Sequence, residues 1–325
     1  VKDNKHKVRL MYANIVIVLL PLFFFKYFTE FNSVVFGVLE LYEIRWFIPK
    51  INFFLPIGIS FYTFMSIGYT IDVYNEEIEA EKNLGVVALF ISFFPLILSG
   101  PIERAKNMIP QFKSDLILHP ANITIGLKLM LWGYFMKLVI ADRLAIYIDA
   151  IYGNLTQHNG DTILLTALLY PIQVYADLGG YSLIAIGLSK TLGLNVMNNF
   201  NRPFFATSMA GFWRRWHISL IKWLTDYVYT PLSFSFRRYK QTGVVIALMI
   251  TFFLSGIWHG ATLNFIVWGL LQGIFLSVEA LINKRKTKIT NQLKLDNNAI
   301  YIIFSLTTTY ILFSTSLKEI NGLVI

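Results

Sequence analysis

Long apolar stretches separated by short polar loops set the pattern of the chain. A helix needs about 20 mostly apolar residues to cross the hydrocarbon core of a bilayer, and several segments approach or pass that length. The first runs from about Leu10 to Phe28, behind the basic tail Lys2, Lys5, Lys7 and Arg9. Its apolar run is too long for a signal peptide, and no small-residue cleavage site follows it. Further spans are predicted from about Ile51 to Ile71, from Leu84 to Ser99 and from Ile123 to Ile140. The last of these carries Lys128 and Lys137, which the pattern predicts to snorkel toward an interface or a polar cavity. Thr162 to Ser189 holds 28 residues with one formal charge, Asp177. Pro171 and the pair Gly179-Gly180 interrupt it and predict a broken or doubled span. Gln241 to Val278 holds 38 residues with no formal charge. One helix of that length would be about 57 Å long, almost twice the bilayer core. A helical hairpin is therefore predicted, broken at Gly256-Ile257-Trp258-His259-Gly260. A final span covers about Ala299 to Ser314. The pattern gives about eight or nine spans: an all-α polytopic membrane protein with broken or re-entrant helices, one domain over residues 1–325 and no internal repeat.

Composition agrees with that pattern and narrows the alternatives. The 325 residues are 55% hydrophobic and only 14% charged, where a soluble domain has roughly 25% charged residues. A disordered chain, a coiled coil and an ordinary soluble enzyme are excluded. The 28 Lys+Arg against 19 Asp+Glu leave a net charge of +9. In a soluble protein this would suggest nucleic acid. In a membrane protein Lys and Arg collect in cytoplasmic loops, so membrane lipid rather than nucleic acid is the expected partner. Simple alternation of the spans cannot place every basic cluster on one side. The acidic loop Glu76-Glu77-Glu79-Glu81 and the cluster Arg104 with Lys106 are separated by the Leu84–Ser99 segment. Either that segment is re-entrant or the span count is too high, and orientation stays open. The chain has no cysteine, so disulfides, thiolate nucleophiles and Cys-based metal sites are excluded.

Three ionisable residues change the picture. His259 sits midway in the uncharged stretch, next to flexible backbone at Gly256 and Gly260. An ionisable residue at membrane depth is a functional hypothesis by default, and broken backbone there must line a buried or water-filled cavity. Neutral imidazole in such a place can take a proton from a hydroxyl; the alternative is a histidine that only caps a helix end. His217 lies in Phe212-Trp213-Arg214-Arg215-Trp216-His217-Ile218-Ser219-Leu220. On a helix at 100° per residue, Trp213, Trp216, Leu220, Trp223, Leu224 and Tyr227 form one apolar face. Arg215, Ser219, Lys222 and Asp226 gather opposite, with Lys222–Asp226 an i,i+4 pair. This predicts an amphipathic helix at the membrane interface with His217 on its inward edge, about 80° from the centre of the apolar face. The arginines would meet lipid headgroups or an anionic acyl donor. Asp177 would orient a histidine, bind a hydroxyl or cap a half-helix. His6, His119 and His158 lie in a tail, before Pro120 and in a turn. No metal site is expected from two histidines alone.

These residues carry a family resemblance. Asn199-Phe200-Asn201-Arg202-Pro203-Phe204, the segment Phe212 to Leu220, Tyr229-Thr230-Pro231-Leu232 and Ser255-Gly256-Ile257-Trp258-His259-Gly260-Ala261 resemble the membrane-bound O-acyltransferase (MBOAT) superfamily. The bacterial branch typified by the alginate O-acetylation membrane protein is the nearest match. Leu55-Pro56-Ile57-Gly58, Ser99-Gly100-Pro101-Ile102 and Asp177-x-x-Gly180-Tyr181-Ser182 extend the resemblance over most of the chain. It implies an O-acyltransferase in the inner (plasma) membrane that moves an acyl group, in this branch acetyl, from a cytoplasmic thioester to a hydroxyl of an extracytoplasmic polysaccharide or cell-envelope glycan. No bound cofactor is implied; acyl-CoA or an acyl carrier protein would be the donor, with a separate extracytoplasmic acyltransferase as partner. The two family histidines map onto His259, as the catalytic residue, and His217. Asp177, Arg214, Arg215, Trp216, Trp258, Asn201 and Arg202 would support the site or bind the donor. The alternatives are D-alanyl transfer to teichoic acid, in a sister branch, and a transporter or flippase of an acylated carrier. The Arg214-Arg215 pair favours the alginate branch, and the absence of two repeated halves disfavours a transporter. Several positions depart from the family pattern, among them Ser182-Leu183, Gln272-Gly273 and Ser314-Thr315-Ser316. The family's usual helices before Leu10–Phe28 are absent, which implies an N-terminal truncation.

Overall fold

Residues 2–42, 56–260, 262–293 and 299–317 are described by a computed structural model, and their regular structure is helical with no strand. The chain opens with α1 (Lys2–Leu22), a π-helical turn (Phe23–Tyr27) and α2 (Phe28–Glu40), followed by α3 (Ile59–Tyr74). Two short helices follow, α4 (Leu84–Ile91) and α5 (Phe94–Ile97), and then α6 (Ala105–Lys113). Next come α7 (Pro120–Tyr134), a second π-helical turn (Phe135–Ala141), α8 (Asp142–Tyr152) and the long α9 (Gly160–Thr191). A run of short helices, α10 (Met209–Trp213), α11 (Ile218–Leu224) and α12 (Thr230–Ser235), precedes α13 (Lys240–His259), α14 (Leu263–Gln292) and α15 (Ala299–Leu317).

Five helices are long and apolar enough to cross a membrane: Lys5–Tyr27, Pro120–Tyr152, Gly160–Thr191, Arg237–His259 and Leu263–Asn283. Leu84–Ile97 and Ile302–Ser314 are shorter apolar helices. The molecule is thus a polytopic all-α membrane protein, with fewer full-length spans among the described residues than the sequence pattern predicts. The excess has identifiable causes. The predicted span 84–99 breaks between Ser92 and Phe93, just before Pro95. Residues 51–55 of the predicted second span lie outside the described residues, and helix begins only at Ile59.

The predicted break in 162–189 is absent, because α9 runs unbroken for 32 residues. Pro171 removes one donor, which a helix packed among neighbours tolerates. The glycines serve helix contact instead. A Cβ on Gly133 would lie 2.6 Å from the Gly180 carbonyl, and one on Gly126 would lie 2.5 Å from that of Gly187. The two pairs run antiparallel, seven residues apart on each helix. They bring α7 and α9 to backbone distance, the small-residue packing of membrane helices. This contact also accounts for Lys137, which does not snorkel. Its ammonium sits 2.8 Å from Asp177 and 2.7 Å from Asp142.

The predicted hairpin in 241–278 is present. Its arms, α13 and α14, touch through Gly256 and Gly269, where added Cβ atoms would come within 2.4 Å of the carbonyls of Phe265 and Phe252. Buried side chains form two clusters. One is aromatic and includes Tyr170, Phe212, Trp213, Trp216, Phe265 and Trp268. The other includes Phe64, Phe93, Leu96, Met108, Leu220 and Trp223, with Trp258 packed against it. The histidine site lies at their seam.

Candidate functional site

His259 ends α13 because Gly260 leaves helical geometry for extended backbone. The missing side chain at Gly260 is required here, since a Cβ would fall 2.4 Å from the Phe265 ring. The first turn of α14 therefore folds back against the break. The His259 ring lies 4.5 Å from the Trp258 ring, 5.0 Å from Trp268 and 5.9 Å from Phe265. Phe265 and Trp268 are buried, whereas His259 keeps part of its surface exposed.

His217 arrives from another element. The single predicted helix over 213–227 is instead α10, a turn, α11 and a π-helical turn, with His217 at φ 44°, ψ 51° before α11. A left-handed backbone costs a branched L-residue roughly 1–2 kcal/mol and persists where surrounding structure fixes it. Here Asn199 does so. Its carbonyl accepts the Ile218 N–H at 2.8 Å, and its Oδ1 accepts from Ser219 Oγ at 2.9 Å and Ser219 N–H at 3.2 Å. Its Nδ2 donates to Ser182 of α9 at 3.0 Å. Ser208 and Glu279 cap α10, accepting from Gly211 N–H at 3.0 Å and Met209 N–H at 2.7 Å. The predicted Lys222–Asp226 pair gives way to a stronger partner: Arg104 reaches Asp226 at 2.7 Å. His217 is buried, 6.3 Å from the Trp258 ring and 6.2 Å from Phe200. Both histidines therefore flank one indole.

A third polar group was not singled out from sequence. Lys26, in the π-helical turn after α1, donates to the Trp258 carbonyl, and its ammonium sits 5.5 Å from the Trp258 ring. Neighbouring Tyr27 donates to the Ile257 carbonyl at 2.9 Å. Together they satisfy carbonyls that the end of α13 leaves open. The signal was available: Lys26 is the lone charge within Leu10–Phe28, and the rule that singled out His259 applies to it equally.

Several buried polar atoms around the break have no hydrogen-bond partner: His217 Nδ1, Trp258 Nε1, Trp268 Nε1 and Thr262 Oγ1. Such orphans are rare in folded proteins and call for an explanation; a bound polar ligand supplies one.

The other predicted residues divide. Trp216 is buried in the aromatic cluster, 5.2 Å from Phe200, and backs the site. Arg214, Asn201 and Arg202 are exposed and Arg215 is partly so, on a loop tied by the Asn201 N–H to the Arg215 carbonyl at 2.9 Å. Asp177 pairs with Lys137 and meets neither histidine among the described residues. No cluster of three metal-ligating side chains occurs among the described residues. A cavity of about 850 Å³ between α1, α3 and the Glu76–Lys82 loop contains neither histidine; the candidate site is defined by chemistry instead.

The described residues thus form a helical, multi-pass membrane protein in which two histidines from different elements meet one indole beside a helix break. Comparison with known proteins makes this specific. The model of the membrane-bound O-acyltransferase family, MBOAT, matches residues 82–316, and the chain belongs to that family. It is 40% identical to the "Probable alginate O-acetylase AlgI" of Pseudomonas aeruginosa, over 74% of this chain and 46% of that protein. It is 35% identical to the "Peptidoglycan O-acetyltransferase" of Helicobacter pylori, over 78% and 52%. It is 30% identical to the "Teichoic acid D-alanyltransferase" of Streptococcus thermophilus, over 71% and 58%. The chain spans about half the length of the first of these relatives.

Proposed function

We propose that this protein is an O-acyltransferase of the cell inner membrane that transfers an acetyl group from a thioester on the cytoplasmic side to a hydroxyl of an extracytoplasmic glycan. One observation carries the reading: a helix break inside an apolar hairpin places His259 and His217 on one indole, ringed by unsatisfied polar atoms. In the proposed reaction His259 takes the proton of the acceptor hydroxyl as its oxygen adds to the thioester carbonyl. The adduct collapses, expels the thiolate and leaves the ester, and the proton passes from His259 to the thiolate. His217 orients the donor, Trp258 and Trp216 wall the site against water that would hydrolyse the thioester, and Arg214 and Arg215 attract an anionic donor such as acyl-CoA or an acyl carrier protein.

The family resemblance to alginate and peptidoglycan O-acetylases favours acetyl over D-alanyl as the acyl group, since identity is higher there than to the D-alanyltransferase. A transporter would suit two broken helices, but α9 is continuous and Asp177 is paired. The test is transfer of radiolabelled acetyl from acetyl-CoA or acetylated carrier protein to alginate or peptidoglycan fragments in proteoliposomes. Transfer by the intact protein, lowered by about 10²-fold or more in His259→Ala, is expected. No transfer by the intact protein, or equal transfer by the variant, overturns the reading.

A further inference from the structure

The structure assigns Lys26 to the reaction centre: we propose that its ammonium takes the negative charge that develops on the acyl carbonyl oxygen. This deepens the proposed function and rests on acyl transfer at His259. Lys26 is the one charge in the membrane span Lys5–Tyr27 after its basic start at Lys5, Lys7 and Arg9. It lies one residue from the end of that span, where an ammonium ordinarily snorkels to the interface; here it turns instead to the helix break at Trp258. Among the described residues it forms no ion pair, unlike Lys137, which has two carboxylates. Its acceptor is the carbonyl of Trp258, the residue before His259. A carbonyl takes one of the three ammonium protons, so donors remain for a ligand. The family match begins only at residue 82, so the assignment comes from geometry and not from the matched segment.

Capping α13 does not need a charge. Tyr27 already caps with a neutral hydroxyl, and the orphaned donors of Trp258 and Trp268 show that the break is built around more than its own backbone. In the reaction the acceptor oxygen bonds to the carbonyl carbon, the carbonyl π pair moves to oxygen, and Lys26 holds that oxyanion while His259 holds the proton. When the oxyanion re-forms the carbonyl, the carbon–sulfur bond breaks and the thiolate takes the proton from His259. Lys26 ends unchanged.

Charge and capping are separated by Lys26→Gln, which keeps a donor but loses the charge, and Lys26→Arg, which keeps both. Both are compared with the intact protein and with His259→Ala in the acetyl-transfer assay, at matched membrane abundance. Loss of one oxyanion donor typically costs 10²–10³-fold, so Lys26→Gln is expected to lower turnover by about 10²-fold. Donor KM should stay within about threefold and the thermal unfolding midpoint should not move, because only the transition state is affected. Lys26→Arg is expected to stay within about tenfold of the intact protein, because it conserves the charge. The proposal is overturned if Lys26→Gln keeps a third or more of the turnover. It is equally overturned if the two variants lose activity alike, or if the loss tracks a lowered midpoint. An active His259→Ala would instead overturn the acyl-transfer reading itself.

Discussion

The membrane interior of this protein holds two polar sites built in opposite ways. Between α7 and α9, Lys137 binds Asp142 and Asp177, and glycines hold the helices at backbone contact. Each charge there has an oppositely charged partner supplied by the fold, although Asp177 Oδ1 accepts no well-formed hydrogen bond. At the break between α13 and α14, Lys26 meets a backbone carbonyl and the Trp258 ring but no carboxylate among the described residues, while His217 and two indoles retain unpartnered buried atoms. The cost of burying polar groups is the same at both sites. A closed polar site has its partners in the fold and supports structure; an open one leaves them to a ligand. Satisfaction, rather than mere presence of charge, separates architecture from chemistry in this membrane domain.

The comparison yields predictions of decreasing size. Lys137→Met should destabilise the protein most, by about 2–3 kcal/mol, because it strands the mostly buried carboxylate of Asp177, while Asp142, 43% exposed, is screened by solvent. Thermal unfolding in detergent would register this, while turnover per folded molecule should stay within about twofold, since the site is remote from the proposed chemistry. If turnover per folded molecule collapsed instead, the α7–α9 site would belong to the chemistry and the contrast would fail.

Next come two glycine substitutions of equal steric severity. Gly133→Ala and Gly256→Ala each press a Cβ within 2.6 Å of a facing carbonyl, an overpacking worth about 1–3 kcal/mol. Stability should fall alike in both. Only Gly256→Ala should also lower turnover, because the shift is passed to His259 three residues on. Equal effects on turnover would argue that the break has no special geometry.

The smallest effect separates paired from orphaned indoles. Trp213 Nε1 donates to buried Gln272 at 3.2 Å, so Trp213→Phe removes a buried hydrogen bond and should cost about 1 kcal/mol beyond packing. Trp258→Phe removes a donor that has no partner in the fold. It should cost less than Trp213→Phe in thermal unfolding, yet lower acetyl transfer. The reverse order would place a protein partner on Trp258.

How much of this was legible in sequence follows from the range of the interactions. The hairpin and its break were legible because a 38-residue uncharged run exceeds what one helix can span, a constraint set by bilayer thickness. His259 and His217 stood out as ionisable groups in apolar or aromatic surroundings. The continuity of α9 was not legible: Pro171 and Gly179-Gly180 weaken a helix locally, but α7 packs against those glycines from 47 residues away, at Gly133 against Gly180. Asp177 stood out as the lone charge of a long apolar stretch, with a supporting role beside His259, since nothing local shows that Lys137 lies opposite. The helix over 213–227 was misread for a related reason. Its apolar residues are buried as the pattern predicts, yet they serve two different clusters, and Asn199 holds the kink at His217 that lets them do so.

The central claim is that chemistry belongs to the open site at His259 and not to the closed one at Asp177. It is tested most directly by measuring acetyl turnover of His259→Ala and Asp177→Asn side by side, in proteoliposomes at matched protein abundance. A loss of about 10²-fold or more is predicted for His259→Ala, with Asp177→Asn within about threefold of the intact protein, because Lys137 keeps Asp142 as a partner. Equal losses in the two variants, or a greater loss in Asp177→Asn, would contradict the account.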